Sequence, residues 1–310
     1  MKLFLSSLIK FSAFSFVGYL FLVVFIGSTL PSYFSPNMRF VRGMYGHSHT
    51  RLKEADELDK VNTLILGSSH AYRGIDTRLI GSPDKTLFNL GSSAQTPIHT
   101  EILVQRYLTK LKPELVIYEI YPGTFTSDGV ESTLDLMSNG PMDLTLARIA
   151  LKQKNPAVFN TAIYALYREK FGLDKEFKQN ISENNDTYIP GGFVQSSLTS
   201  CRSMVHVNQE WSFKPIQFQA FKRSMNLIEH SGAKCLLVYS PITSRRYNSY
   251  TNQSIFDSIM NASGTYIDFN PLVELDDSLH FSDSHHLNQN GVEIYNRKLV
   301  EVLSSIDFSE

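Results

Sequence analysis

The chain has 310 residues, 42% hydrophobic and 19% charged, which is enough apolar material to bury a full core. A formal net charge of -1 leaves no basic footprint for a phosphate backbone and argues against nucleic acid as a partner. Of the two cysteines, Cys235 reads as a buried strand residue and Cys201 lies in a Ser-rich segment. Two free thiols are the simpler reading, because a bridge would need their Cα atoms to approach closely.

Phe11 to Leu30 is apolar throughout and carries no charge, long enough to cross a bilayer as a helix. Lys2 and Lys10 precede it and favour a cytoplasmic N-terminus, while Arg39, Arg42, Arg51 and Lys53 on the far side weaken that bias. A cleaved signal peptide is the competing reading. The length of the run and the poor cleavage site in Ile26 to Ser32 favour a retained single-pass anchor over residues 1–30. Either way, the rest of the chain is expected outside the cytoplasm, periplasmic or extracellular. Residues 31–60 are polar and turn-rich and read as a juxtamembrane connector, so the globular domain is expected over 61–310.

Within that domain, Val61 to Leu66 is a β-branched and aliphatic run that stops at Gly67-Ser-Ser, the pattern of a buried strand. Thr86 to Leu90 is a second strand, ending at Gly91. Ile98, Ile102, Leu103, Tyr107, Leu108 and Leu111 then follow at helical spacing after Pro97. Leu115 to Tyr121 supplies a third strand, closed by Pro122-Gly123. The alternation stops between Thr124 and Ser212, where a helical stretch from Leu144 to Phe171 precedes an Asn-, Ser- and Gly-rich run. A structureless loop of that size is implausible in a compact domain, so an inserted, mainly helical cap is expected at about 124–212. Pro215 opens another amphipathic helix with Gly232 at its end. Lys234 to Tyr239 is a fourth strand and Gly264 to Phe269 a fifth, and a last helix follows Asn288. Strands alternating with helices predict an α/β fold with a central parallel sheet covered on both faces.

Ligands of such sheets bind at the C-terminal ends of the strands. Ser69, with Ser68 as rival, sits on the turn leaving the first strand, where a nucleophile would be exposed and a helix N-terminus would favour an oxyanion. Read alone, Gly-Ser-Ser is also an ordinary helix cap. Near the other end, Asp283 precedes His286 by one helical turn, a spacing that lets the carboxylate hold Nδ1 and leave Nε2 free as a base. Read alone, that motif is also a polar segment before a helix. Glu119 reads as an acid that caps or pairs near the sheet edge. His47 and His49 lack further ligands, and no metal or cofactor is expected.

Together, Gly67-Ser-Ser69, Gly91 and Asp283-Ser-His-His286 resemble the blocks of the SGNH, or GDSL-like, hydrolase superfamily, over roughly Val61 to Leu303 apart from the insertion. The resemblance implies a flavodoxin-like three-layer sandwich and a Ser69, His286, Asp283 triad, with the N–H groups of Ser69 and Gly91 facing the oxyanion. Within the superfamily the chain looks most like the membrane-anchored branch that includes the teichoic-acid D-alanylation protein and alginate O-acetylation proteins. That likeness implies an extracytoplasmic O-acyltransferase or esterase working on an exported glycan or envelope polymer through an acyl-serine, with a membrane-bound O-acyltransferase as partner. The family's Gly-x-Asn-Asp block is absent at Tyr118 to Pro122, which leaves Gln95, Asn89 or Tyr121 to replace its oxyanion donor and His70 as a substrate contact. A stand-alone carbohydrate esterase and a non-catalytic glycan-binding scaffold are the alternatives. Tyr164, Tyr167, Tyr188 and Trp211 are candidates for stacking on a sugar.

Overall fold

The structure, a computed structural model, describes residues 1–35, 37–81, 85–199 and 207–306. The chain divides into two units, Met1–Arg42 with Thr133–Lys178 and Gly43–Ser132 with Gln179–Glu310.

In chain order the elements are α1 (Lys2–Thr29), α2 (Met44–Glu57), β1 (Thr63–Leu66), α3 (Ser69–Gly74), α4 (Thr77–Ile80), β2 (Leu87–Asn89), α5 (Pro97–Leu111) and β3 (Leu115–Glu119). Helices α6 (Val130–Asn139), α7 (Leu144–Gln153) and α8 (Pro156–Lys170) follow, then strands β4 (Ser182–Glu183), β5 (Asp186–Ile189) and β6 (Phe193–Ser196). The chain closes with α9 (Pro215–His230), β7 (Lys234–Tyr239), α10 (Ser244–Tyr247), α11 (Gln253–Asn261), β8 (Thr265–Asp268) and α12 (Gln289–Ser305).

In the first unit, α1 is 28 residues long, about 42 Å at 1.5 Å per residue, and almost wholly exposed along its apolar surface. It packs on α8, where Tyr19 stacks on Phe159 and its hydroxyl donates to Asn160. Asp174 draws together Arg168, at 2.6 Å, and Arg42, at 3.4 Å. A helix of this length and composition is long and apolar enough to cross a membrane, as an anchor or a signal sequence would be.

The second unit is built on a parallel sheet of order β2-β1-β3-β7-β8. Numbered among themselves, its five strands run 2-1-3-4-5, the flavodoxin-like order, with the switch point between β1 and β3. Successive strand residues point to opposite faces. Ile65, Ile117, Leu236 and Val238 therefore share one face, packed with Val292, Tyr295 and Leu299 of α12. Tyr118 points the other way, against Phe221 of α9, and α9 packs on α5. Helices thus cover both faces, as the sequence pattern requires.

Two stretches differ from the expectations above. Residues 31–60 contain a helix, α2, in which Arg51, Leu52 and Ala55 are buried. Its residues are fixed by partners far along the chain. Arg51 Nε donates to the carbonyl of Gly192 at 2.9 Å, and Glu54 accepts from the Gly191 N–H at 2.8 Å and the Tyr188 hydroxyl at 2.5 Å. Residues 124–212 hold helices only in their first part. Beyond residue 181, β4, β5 and β6 form an antiparallel sheet in the second unit, and its β5–β6 turn lies on β2, the Asn89 N–H donating to Gly191 O at 2.8 Å. Gly191 and Gly192 sit at φ +92° and +90°, and a Cβ on Gly192 would meet Asn89 O at 2.0 Å, so only glycine fits this approach. Cys235 carries a free thiol in β7, 3.8 Å from Met225 Sδ, and Cys201 lies outside the described residues.

Candidate active site

β1 delivers the chain to a turn at Gly67, whose φ of +140° belongs to the glycine-favouring region. A Cβ there would stand 2.7 Å from Glu119 Cβ and 2.8 Å from its carbonyl oxygen, so the turn is pressed against the end of β3. Ser68 then caps α3, its Oγ accepting from the His70 N–H.

The two serines of the turn have different partners. Ser68 is buried, its N–H and Oγ reaching Glu119 Oε2 at 3.1 and 2.9 Å and its Oγ lying 3.0 Å from His70 Nδ1. Ser69, half-buried, places Oγ 2.7 Å from His286 Nε2. His286 Nδ1 lies 2.7 Å from Asp283 Oδ2, and Asp283 Oδ1 accepts from the backbone N–H groups of His285 and His286 at 2.8 and 2.9 Å. Burial works against the Asp283 charge, yet the hydrogen bond and charge of His286, with His285, outweigh it and hold the carboxyl well below its ordinary range. Ser69, His286 and Asp283 thus form an unbroken relay in which a fixed carboxylate orients an imidazole towards a hydroxyl. Such a relay can remove the hydroxyl proton as the oxygen attacks an acyl carbon, and return it to the leaving group.

The relay opens into a cavity of about 710 Å³ lined by Ser69, His70, Tyr121, Trp211, Arg246 and His285 among others. His70 is buried, stacked between Tyr121 (4.2 Å between ring centres) and His286 (5.2 Å), and desolvation with the neighbouring His286 pushes its pKa well down, so it stays neutral. His285 is pushed down to about 3 by burial and by His286. Glu119 is pushed up to about 7 by burial, against the hydrogen bonds from Ser68. It holds the turn after β1 by accepting from Ser68, the pairing role its position in the sequence suggested.

The expected oxyanion donors are arranged differently. The Gly91 N–H donates to Asn89 Oδ1 at 3.1 Å, and Asn89 Nδ2 donates to the carbonyls of Ala71 and Ile75 at 2.8 and 3.0 Å. Gln95 is buried, donating to Thr100 Oγ1 and accepting from Ser92 Oγ, both at 2.9 Å. These three groups hold loops together. They face other protein groups because a buried amide must satisfy donors and acceptors locally. Tyr121 does line the cavity, its hydroxyl accepting from Arg246 Nε at 3.2 Å. The Ser69 N–H donates to no acceptor among the described residues.

Arg73 is held away by a two-pronged pair with Asp186 at 2.8 and 2.6 Å. Among the aromatic candidates only Trp211 lines the cavity; Tyr188 serves α2, and Tyr164 and Tyr167 belong to α8. Arg246 had no periodic or motif signal in the sequence. Asp283, His285 and His286 bring ligand atoms within 4.8 Å of one another, a set that could hold a metal ion, although the same atoms of Asp283 and His286 serve the relay to Ser69.

No protein-family model and no curated protein matches the chain. Among solved structures it is similar to a candidate acylhydrolase from Bacteroides fragilis, at 9% identity and a TM-score of 0.40, over 81% of this chain and 93% of that one. It is similar in the same degree to a GDSL-like lipase from Bacteroides thetaiotaomicron, at 10% identity and a TM-score of 0.40, over 83% of this chain and 98% of that one.

Proposed function

We propose that this chain is a serine-dependent acyl-ester enzyme of the SGNH type, in which Ser69 is the nucleophile, His286 the general base and Asp283 its orienting carboxylate. The observation that carries the reading is the relay itself, with 2.7 Å on both sides of one imidazole at the mouth of a cavity. Attack by Ser69 Oγ on the acyl carbon would form an acyl-serine as the ester's C–O bond breaks, with His286 passing the serine proton to the departing alkoxide. Water or a second hydroxyl would then release the acyl group by the same steps in reverse. The Ser69 N–H would face the oxyanion, with the loop after β2 held by Asn89 as a structural support.

The substrate we propose is an acyl ester on an exported glycan or envelope polymer. The apolar α1, read as an anchor or export signal, supports an extracytoplasmic site. The missing side-chain donor at Tyr118 to Pro122 supports transfer with a membrane-bound O-acyltransferase as donor over vigorous free hydrolysis, since one such donor is worth about a hundredfold to a thousandfold in rate.

The test is labelling of the full-length protein in detergent with a fluorophosphonate probe. Wild type should label, and Ser69→Ala and His286→Ala should not. Undiminished labelling of a folded Ser69→Ala variant, or a silent wild type, would remove Ser69 from this role.

A further inference from the structure

Among the described residues Arg246, on α10, contributes the one guanidinium in the lining of the cavity that holds Ser69. Its three hydrogen-bond partners among the described residues are all neutral hydroxyls: Nε donates to Tyr121 at 3.2 Å, one Nη to Ser284 at 3.2 Å, and the other to Tyr250 at 3.4 Å. No carboxylate pairs with it among the described residues. The cavity's two acids are engaged elsewhere, Glu131 with Ser93 Oγ at 3.3 Å and Glu210 with Thr251 Oγ1 at 3.4 Å. Lys214 and Arg246 equal Glu131 and Glu210 in number, so Arg246 stands out by its own all-hydroxyl surroundings and not by the summed charge of the lining.

A half-buried cation without a counter-charge is costly to keep, and three hydroxyls aim this one without neutralising it. Five N–H donors with three hydroxyl partners leave a fork free to grip a planar or tetrahedral anion. Burial and His286 chiefly push the neighbouring His285 and His70 down, with Arg246 adding to that push, and Arg246 itself keeps its charge across neutrality.

We infer that Arg246 is an anion-binding group of the substrate site, so that the proposed ester substrate carries a carboxylate or phosphate near the bond that is cleaved. This rests on the acyl-ester reading for its place in a reaction, but not for its test. Tyr121 and Tyr250 fix the guanidinium, and Trp211, stacked on Tyr250 with ring centres 3.4 Å apart, forms the adjoining wall. An acidic sugar and a polyol phosphate present the same anionic oxygens to this fork.

Trp211 is the chain's single tryptophan, so its fluorescence reports on this wall alone. The full-length protein in detergent is titrated at constant ionic strength with D-glucuronate, with glycerol 3-phosphate, and with methyl glucoside as the neutral control. The expected result is a saturable change with at least one anion and none with the glycoside, and which anion responds separates carboxylate from phosphate. Arg246→Gln should weaken binding by about ten- to a hundredfold, the usual loss for a charged hydrogen-bond partner. Arg246→Lys, which keeps the charge and loses the fork, should fall between. No saturable change with either anion, a change shared by the glycoside, or wild-type affinity in both variants would overturn the inference. Because binding needs no reaction at Ser69, a failure here leaves the fluorophosphonate result standing, and a silent wild type in that labelling leaves this site standing.

Discussion

Replacing Asp283 by asparagine tests whether the relay depends on which nitrogen of His286 carries the proton. Asp283 Oδ1 accepts two backbone N–H groups, at 2.8 and 2.9 Å, while Oδ2 faces His286 Nδ1 at 2.7 Å. In the asparagine variant only the carbonyl oxygen can accept from the two amides, so the side-chain NH2 turns towards His286. The imidazole must then present Nδ1 as an acceptor and carry its proton on Nε2, where Ser69 Oγ stands 2.7 Å away. A base holding its proton on that nitrogen cannot take the serine's, a tautomer inversion that costs on the order of 10⁴ in rate in serine hydrolases. At 1.36 kcal/mol per decade that is about 5 kcal/mol of transition-state stabilisation. The assay is the second-order rate constant for fluorophosphonate inactivation of the full-length protein, alongside thermal melting to confirm folding. A folded Asp283→Asn variant reacting within about tenfold of wild type would show that Asp283 does not set the tautomer.

Glu119 gives a pH-dependent expectation. A carboxyl raised from 4.5 to about 7 binds a proton more tightly folded than unfolded, so stability is lost as pH rises from about 4.5 to about 7 and stays reduced above. Glu119→Gln should therefore melt higher than wild type at pH 8, with the difference vanishing near pH 4; the opposite order at pH 8 would mean that the charge strengthens the turn through Ser68. Gly67→Ala should destabilise by about 2 to 4 kcal/mol, from its φ of +140° and a Cβ 2.7 Å from that of Glu119, and should lower labelling with it. Denaturant unfolding measures the first, and an unchanged midpoint would mean the turn relaxes freely.

Much of this arrangement is written locally in the chain. Lys234 to Tyr239 is an uninterrupted apolar run because β7 is covered on both faces, and Pro97 with its periodic followers marks α5 to the residue. The alignment of Ser69, His286 and Asp283 was legible because Ser69 leaves a strand and Asp283 lies one turn before His286, both spacings set by backbone geometry. What was not legible depended on distant partners. Helix α2 has few apolar residues, and Arg51 and Glu54 find partners in Gly192 and Gly191, about 140 positions away. The β5–β6 turn did carry a signal in Gly191-Gly192, set between Tyr188-Ile189-Pro190 and Phe193-Val194. Asn89 and Gln95 have the chemistry of oxyanion donors, and only their buried surroundings show that they bind protein. Arg246 is one arginine of an Arg245-Arg246 pair on a four-residue helix, and nothing in that spacing says which one faces the cavity.

Ser69 and His286 lie 217 positions apart, and the last sheet strand ends at Asp268, before either Asp283 or His286 is reached. The imidazole that reaches Ser69 therefore comes from chain beyond the sheet, and that same stretch, through Phe281, Leu287 and α12, supplies the apolar cover of one sheet face, so the alignment of the relay is tied to the closing of that core.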